Sequence, residues 1–171
     1  MPRKCLPLPD IDKLSALFQL SGDCQSGLVW RDSLKPAGLK KKNGYWYVSI
    51  EGQYYLCHRI VYFMQTGRNP GKYFVDHTNR EPGVNSNLRL ASASQNTANT
   101  PKRTDRKYTS IYKGVSWHKT AQKWIAQIYH NEKLVYLGLF HTEEEAAIAY
   151  NEAAFKTWGE FAFLNEIKTA P

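Results

Sequence analysis

Cysteine is scarce, with 3 residues in a chain of 171. An odd and scattered set excludes a fully paired disulfide framework, and no C-x-x-C pair points to structural zinc, so Cys5, Cys24 and Cys57 are read as reduced core or surface residues. Long apolar runs are also missing. No stretch approaches the roughly 18 residues of a membrane-spanning helix, and the opening Met-Pro-Arg-Lys-Cys-Leu-Pro has no signal-peptide core. A soluble, cytoplasmic protein is expected. Acidic residues are in deficit, 15 against 23 Lys and Arg, which leaves a net charge of +8. That surplus favours a polyanionic partner, and without a membrane span nucleic acid comes first.

What is present falls into blocks. After two prolines, Ile11, Leu14, Leu17 and Phe18 share a helical stripe that Asp10 can cap. Between Leu28 and Leu56 the period changes to two. Trp46, Val48 and Ile50 alternate with Tyr45, Tyr47 and Ser49, and Glu51-Gly52 turns into Gln53-Tyr54-Tyr55-Leu56, which predicts a hairpin. Cys57 to Met64 reads as a buried helix ended by Gly67 and Pro70, with His58 as a core-edge histidine. Then come Tyr73-Phe74-Val75-Asp76-His77, a loop, Asn87-Leu88-Arg89-Leu90, and Ser92-Ala93-Ser94-Gln95-Asn96. Ser92 with Gln95 has the spacing of a capping box, so the block predicts strand, loop, strand and helix, with Asn96 in the first full turn.

Asn99 to Tyr108 has no apolar periodicity and carries Lys102, Arg103, Arg106 and Lys107, the pattern of a basic linker lying along phosphate. Three strands are predicted next, over 112–118, 123–129 and 133–140. A helix follows, with Thr142 as N-cap, Glu145 as its capping-box partner and several small alanines that allow close approach to a sheet. Trp124, Ala126 and Ile128, with Val135, Leu137 and Leu139, form the predicted helix-facing surface. The opposite face carries Ser116, His118, Lys123, Gln127, Tyr129, Leu134 and Tyr136, groups able to reach base edges in a DNA groove. A solvated antiparallel sheet would carry a similar outer pattern.

Two resemblances cover most of the chain. Residues from about 20 to 100 resemble the HNH homing-type endonucleases, through His58-Arg59, Asp76-His77, Asn87-Leu88-Arg89 and Ser94-Gln95-Asn96. Residues from about 111 to 165 resemble the Apetala or ethylene-response-factor DNA-binding domain. The carriers there are Tyr112-Lys113-Gly114-Val115, Lys123-Trp124, Tyr136-Leu137-Gly138-Leu139-Phe140, Thr142 to Ala147, Ala149-Tyr150-Asn151 and Ala162-Phe163-Leu164-Asn165. The pairing is similar to phage-type mobile-element endonucleases, which would place the protein in the host-cell cytoplasm. The implied fold class is α+β: a ββα-metal nuclease domain over 1–100, a linker over 101–110, and a three-stranded antiparallel sheet packed on one helix over 111–171.

The HNH resemblance implies one divalent metal, Mg²⁺ or Mn²⁺, on Asp76 and Asn96, with His77 as general base and an Asn orienting it. The Asp-Asn-Arg run common in that group is absent here, so Asn87 and Asn85 are both candidates for the orienting residue. Arg59, Arg89 and Lys113 join the linker cations and the sheet face as expected contacts to double-stranded DNA. A monomer or a homodimer is compatible with this reading, and the nuclease half is expected to nick slowly without the sheet domain. The competing classes are a non-catalytic DNA-binding regulator and an RNA-binding protein.

Overall fold

The computed structural model describes residues 6–80, 87–103 and 107–168. The chain packs as two compact units, Met1–Ala93 and Ser94–Pro171. Cys5, Asn85 and Arg106 lie outside the described residues. No helix among the described residues is long and apolar enough to cross a membrane.

The N-terminal unit begins with α1 (Ile11–Leu17), whose first turn is closed by Lys13 N–H donating to Asp10 Oδ1 at 2.8 Å. Phe18 does not continue the helix. Its backbone turns extended and opens β1 (Phe18–Leu20), which pairs antiparallel with β2 (Leu28–Trp30) and brings the Phe18 and Trp30 rings to 4.8 Å. The expected hairpin is β4 (Trp46–Ile50) and β5 (Gln53–Leu56), joined through Glu51 and Gly52, both at positive φ as a two-residue turn of this hand requires. A short β3 (Leu39–Lys40) adds to its edge.

Helix α2 (Cys57–Thr66) is stopped by Gly67 at φ 68, the left-handed terminator its position predicts. Leu14, Phe18, Leu28, Val48, Ile60 and Val61 form the core between α1, α2 and these strands. Burial of each of these side chains stabilises the unit by about 1.5–3 kcal/mol. Burial also pushes the Cys57 thiol up to about 12, with a smaller contribution from Cys24, so Cys57 is an inert neutral thiol. Against the core lies the antiparallel pair β6 (Phe74–His77) and β7 (Leu88–Ala91), in register Asp76 to Arg89 and His77 to Leu88.

The C-terminal unit opens with α3 (Ala93–Ala98), then a meander of β8 (Val115–His118), β9 (Lys123–His130) and β10 (Lys133–Phe140), in sheet order β10-β9-β8. Helix α4 (Glu143–Trp158) covers one face and has the complete Thr142/Glu145 capping box. The first strand starts later than its apolar pattern suggested. Tyr112 to Gly114 forms a turn instead, with Gly114 at φ 76 pressed against the Tyr150 ring. Buried Ala126, Ala146, Ala147 and Ala154 let helix and sheet approach closely, with Val115, Ile128 and Tyr150 filling the remaining space.

One face assignment is corrected. A register shift between Tyr136 and Gly138 pairs Phe140 with Trp124 and Leu139 with Ile125. Strand alternation then puts Phe140 on the helix side and Leu139 on the outer side. The C-terminal segment is latched by reciprocal amides. Asn165 exchanges hydrogen bonds with the backbone of Lys113, at 2.7 and 3.0 Å, and with Asn151, at 2.7 and 2.9 Å.

Candidate active site and nucleic-acid interface

Asp76 and His77 are consecutive residues at the end of β6, and both are buried, at 7% and 5% exposure. Burial of two ionisable groups side by side has no packing benefit and requires partners. Asp76 has one in Arg89, directly opposite on β7, whose Nε lies 3.1 Å from Asp76 Oδ2. His77 stands among rings: His58 from α2 at 5.1 Å between centroids and Tyr45 at 6.1 Å, with Tyr45 and His58 themselves 5.4 Å apart. Burial, and then the neighbouring His77 and Arg59, lowers the His58 imidazole to about 3, so it is neutral at physiological pH. The Tyr45 hydroxyl is held protonated, first by burial and then by the Asp76 charge. Tyr45 is a member of this cluster that sequence reasoning missed. Its place in an alternating strand pattern gave no sign of contact with His77.

Asn87 sits at the turn into β7 with φ 55, a conformation asparagine tolerates better than most residues. Its carbonyl accepts from Thr78 N–H at 3.1 Å and from Thr78 Oγ1 at 2.9 Å, which closes the strand pair immediately after His77. Asn96 is on α3, in the C-terminal unit. Among the described residues no three His, Cys, Asp or Glu side chains gather as a metal-holding group. A carboxylate such as that of Asp76 and an amide oxygen such as that of Asn96 are each oxygen donors of the kind Mg²⁺ accepts.

Several expected DNA contacts are placed elsewhere. Arg59 is 5% exposed and braces the 71–73 turn, its Nη atoms donating to the carbonyls of Tyr73 and Gly71 at 2.7 Å each. Arg89 is engaged by Asp76. Lys102 is half-buried and donates to the carbonyls of Tyr112 and Val115, at 2.6 and 3.2 Å; desolvation there lowers its pKa. Lys113 donates to the carbonyls of Ala98 and Thr100, at 2.8 and 2.6 Å. These four cations are held by the protein's own acceptors because the fold leaves carbonyls and a carboxylate there to be satisfied.

Arg103 and Lys107 are exposed. The cross-strand pairs Ser116 to Ile125, His118 to Lys123, Gln127 to Tyr136 and Tyr129 to Leu134 put all seven expected outer-face residues on the face away from α4. Tyr129 and Tyr136 are 63% and 57% exposed. Ile125 and Leu139 share this face, so it is more apolar than the sequence pattern suggested.

Comparison with known proteins finds two family matches in the chain. Residues 55–98 match the HNH endonuclease family and residues 110–160 the AP2 domain family. The "Uncharacterized HNH endonuclease L560" of Acanthamoeba polyphaga mimivirus is 34% identical over 119 residues, covering 64% of this chain and 57% of that protein. "Dehydration-responsive element-binding protein 2E" of Oryza sativa subsp. japonica is 48% identical over 56 residues, 32% of this chain and 17% of the rice protein. The chain thus spans little more than half of the first relative's length and a small part of the second's. A solved structure described as "DNA binding and cleavage by the HNH homing endonuclease I-HmuI" aligns with a TM-score of 0.40 and 22% identity, over 53% of this chain and 55% of that one. Residues 55–98 are an HNH endonuclease domain and residues 110–160 an AP2 domain.

Proposed function

We propose that the protein is a metal-dependent DNA endonuclease of the homing type, which hydrolyses phosphodiester bonds in duplex DNA and acts in the host-cell cytoplasm. The reading is carried by the juxtaposition of His77 and Asp76 at the end of β6, with the His77 ring packed against neutral His58 and Tyr45. In this assignment His77 is the general base and takes a proton from the attacking water. Tyr45 and His58 restrict the ring, and Asn87, through its bonds to Thr78, fixes the strand end that carries it. Arg89 orients the Asp76 carboxylate.

Asp76 and Asn96 would hold one divalent ion, Mg²⁺ or Mn²⁺. When bound, it supplies charge stabilisation for the scissile phosphate and the leaving 3′ oxygen. Products with a 5′ phosphate and a 3′ hydroxyl follow from that assignment. Target selection falls to the outer face of β8, β9 and β10, with Arg103, Arg106 and Lys107 adding salt-dependent affinity. The protein acts as a monomer that nicks, or as a homodimer that makes paired nicks.

The test is incubation with supercoiled plasmid in Mg²⁺ or EDTA, with His77→Ala alongside the wild type. Metal-dependent conversion to nicked or linear DNA is expected from the wild type alone, with DNA binding retained by the variant. Binding without cleavage under any metal would leave a DNA-binding regulator.

A further inference from the structure

The outer face of the C-terminal sheet groups apolar side chains where water would otherwise meet them. Ser116, Ile125 and Leu139 form one row, set side by side by the pairings of β8 and β10 with β9. One step along, Gln127 lies beside Tyr136, and beyond it Tyr129 lies beside Leu134. Leu134, Leu139 and both tyrosines are exposed. Leu139 belongs to this face only through the register shift between Tyr136 and Gly138, since plain alternation would have turned it towards the helix. Grouped exposed apolar side chains mark a surface that meets a partner.

Charge decides which partner. Lys119 in the first turn, Lys123 at the start of β9 and Lys133 at the start of β10 place cations at both ends of the face, against Glu132 alone. Helix α4, on the opposite side, has four glutamates and one lysine. The unit therefore draws a polyanion to its sheet side. A second copy seated face to face would bring two positive rims together.

The middle of the face decides among bases. In the major groove guanine presents two acceptors and is read by Arg or Lys, while cytosine presents a donor and is read by Asp or Glu. Among the described residues, the rows of Ile125, Gln127 and Tyr129 carry none of these four. Thymine presents a methyl group, for which Ile125 and Leu139 are apolar counterparts, and adenine presents a donor beside an acceptor, which the Gln127 amide matches. Gln127 N–H donates to the Gly114 carbonyl at 2.8 Å, so this side chain leaves the sheet from a fixed point. From Ile125 to Tyr129 the strand advances roughly 13 Å at about 3.4 Å per residue, the length of about four base-pair steps.

We propose that the sheet is an A·T reader, in which Ile125 and Leu139 pack on thymine methyl groups and Gln127 pairs with adenine in the major groove. This rests on the target-selecting role given to the sheet above and names the bases it selects.

The full chain is incubated in EDTA, which prevents metal-dependent cleavage, with a randomised duplex library, and the bound fraction is sequenced. A run of A·T pairs is expected. In the selected duplex each dT is then replaced by dU, which removes the 5-methyl group and alters nothing in the protein. Each methyl read by the sheet should cost about fourfold in Kd, the transfer value of one buried methyl group. Ile125→Ala and Leu139→Ala, with folding checked by circular dichroism, should each abolish that sensitivity at one position. Ile125→Arg should move one selected position from A·T to G·C. A selected G·C run, equal affinity for dT and dU duplexes, or dU sensitivity that persists in both alanine variants would overturn the proposal and leave DNA binding standing. Equal binding to every duplex would overturn the target-selecting role with it. A changed oligomeric state in the alanine variants, measured by sedimentation and with base preference unmoved, would give the face to a second copy and overturn the proposal.

Discussion

The two units solve opposite problems with polar side chains. In the N-terminal unit His58, Arg59, Asp76 and His77 are all buried, and Arg59 and Asp76 are tied to carbonyls and to a facing guanidinium respectively. In the C-terminal unit the interior around α4 is mostly alanine and aliphatic, and the chemically varied residues stand on the exposed face of the sheet. A site that moves a proton gains from restricted rings and low polarisability, whereas a surface that reads DNA has to be reached by it. The contrast also predicts different tolerances. Substitutions in the first unit should alter stability and chemistry together, and those on the sheet face should alter recognition alone.

The largest effect that would sharpen this contrast is on packing in the second unit. Gly114→Ala places a methyl 1.9 Å from Tyr150 Cδ2 and 2.7 Å from the Gln127 carbonyl, at a φ of 76. We expect a loss of about 3 kcal/mol or more in urea titrations followed through C-terminal resonances, with the N-terminal unit unaffected. An unchanged midpoint would show that the helix–sheet contact is looser than its alanines imply.

Next is acid sensitivity confined to the first unit. The folded-state pKa of His58 is about 3 against an ordinary 6.5, so below 6.5 the unfolded chain binds a proton that the native state refuses. Stability is fully present above about pH 6.5 and falls as pH drops towards 3, by up to roughly 4 kcal/mol at the lower end. His58→Gln should flatten this slope, as measured by urea midpoints across the window. An equal slope in the variant would assign the acid lability elsewhere.

On the sheet face, Gln127→Ala and Tyr136→Ala are each expected, under the proposed target-reading role, to weaken target binding by about 1–3 kcal/mol without changing the salt slope, because that role gives them base contacts rather than phosphate contacts. Loss of thermal stability of similar size would place these side chains in the fold rather than the interface. The smallest effect is expected for Thr142→Ala, about 1 kcal/mol through the lost cap, with DNA binding unchanged.

Much of the fold was legible because its signals are local. Asp10 before α1, Glu51-Gly52 between β4 and β5, Gly67 after α2 and the Thr142/Glu145 box each act within a few residues of the structure they specify. The Asp76-His77 pair was legible for the same reason, as a short string at a strand end. Tyr45 beside His77 was not, since it comes from a distant strand edge. Nor was the outward turn of Leu139, which depends on one extra residue in β10 against β9.

The sequence by itself determined the element order, the two-part organisation and the residue types available for chemistry, because periodicity, caps and turns are short-range physics. Tertiary structure alone decided what the cations do. Arg59, Lys102 and Lys113 look like phosphate contacts in a basic chain, yet each ammonium or guanidinium satisfies carbonyls 10 or more residues away. A charge written in a sequence carries no direction until the backbone groups that need a donor have been brought beside it.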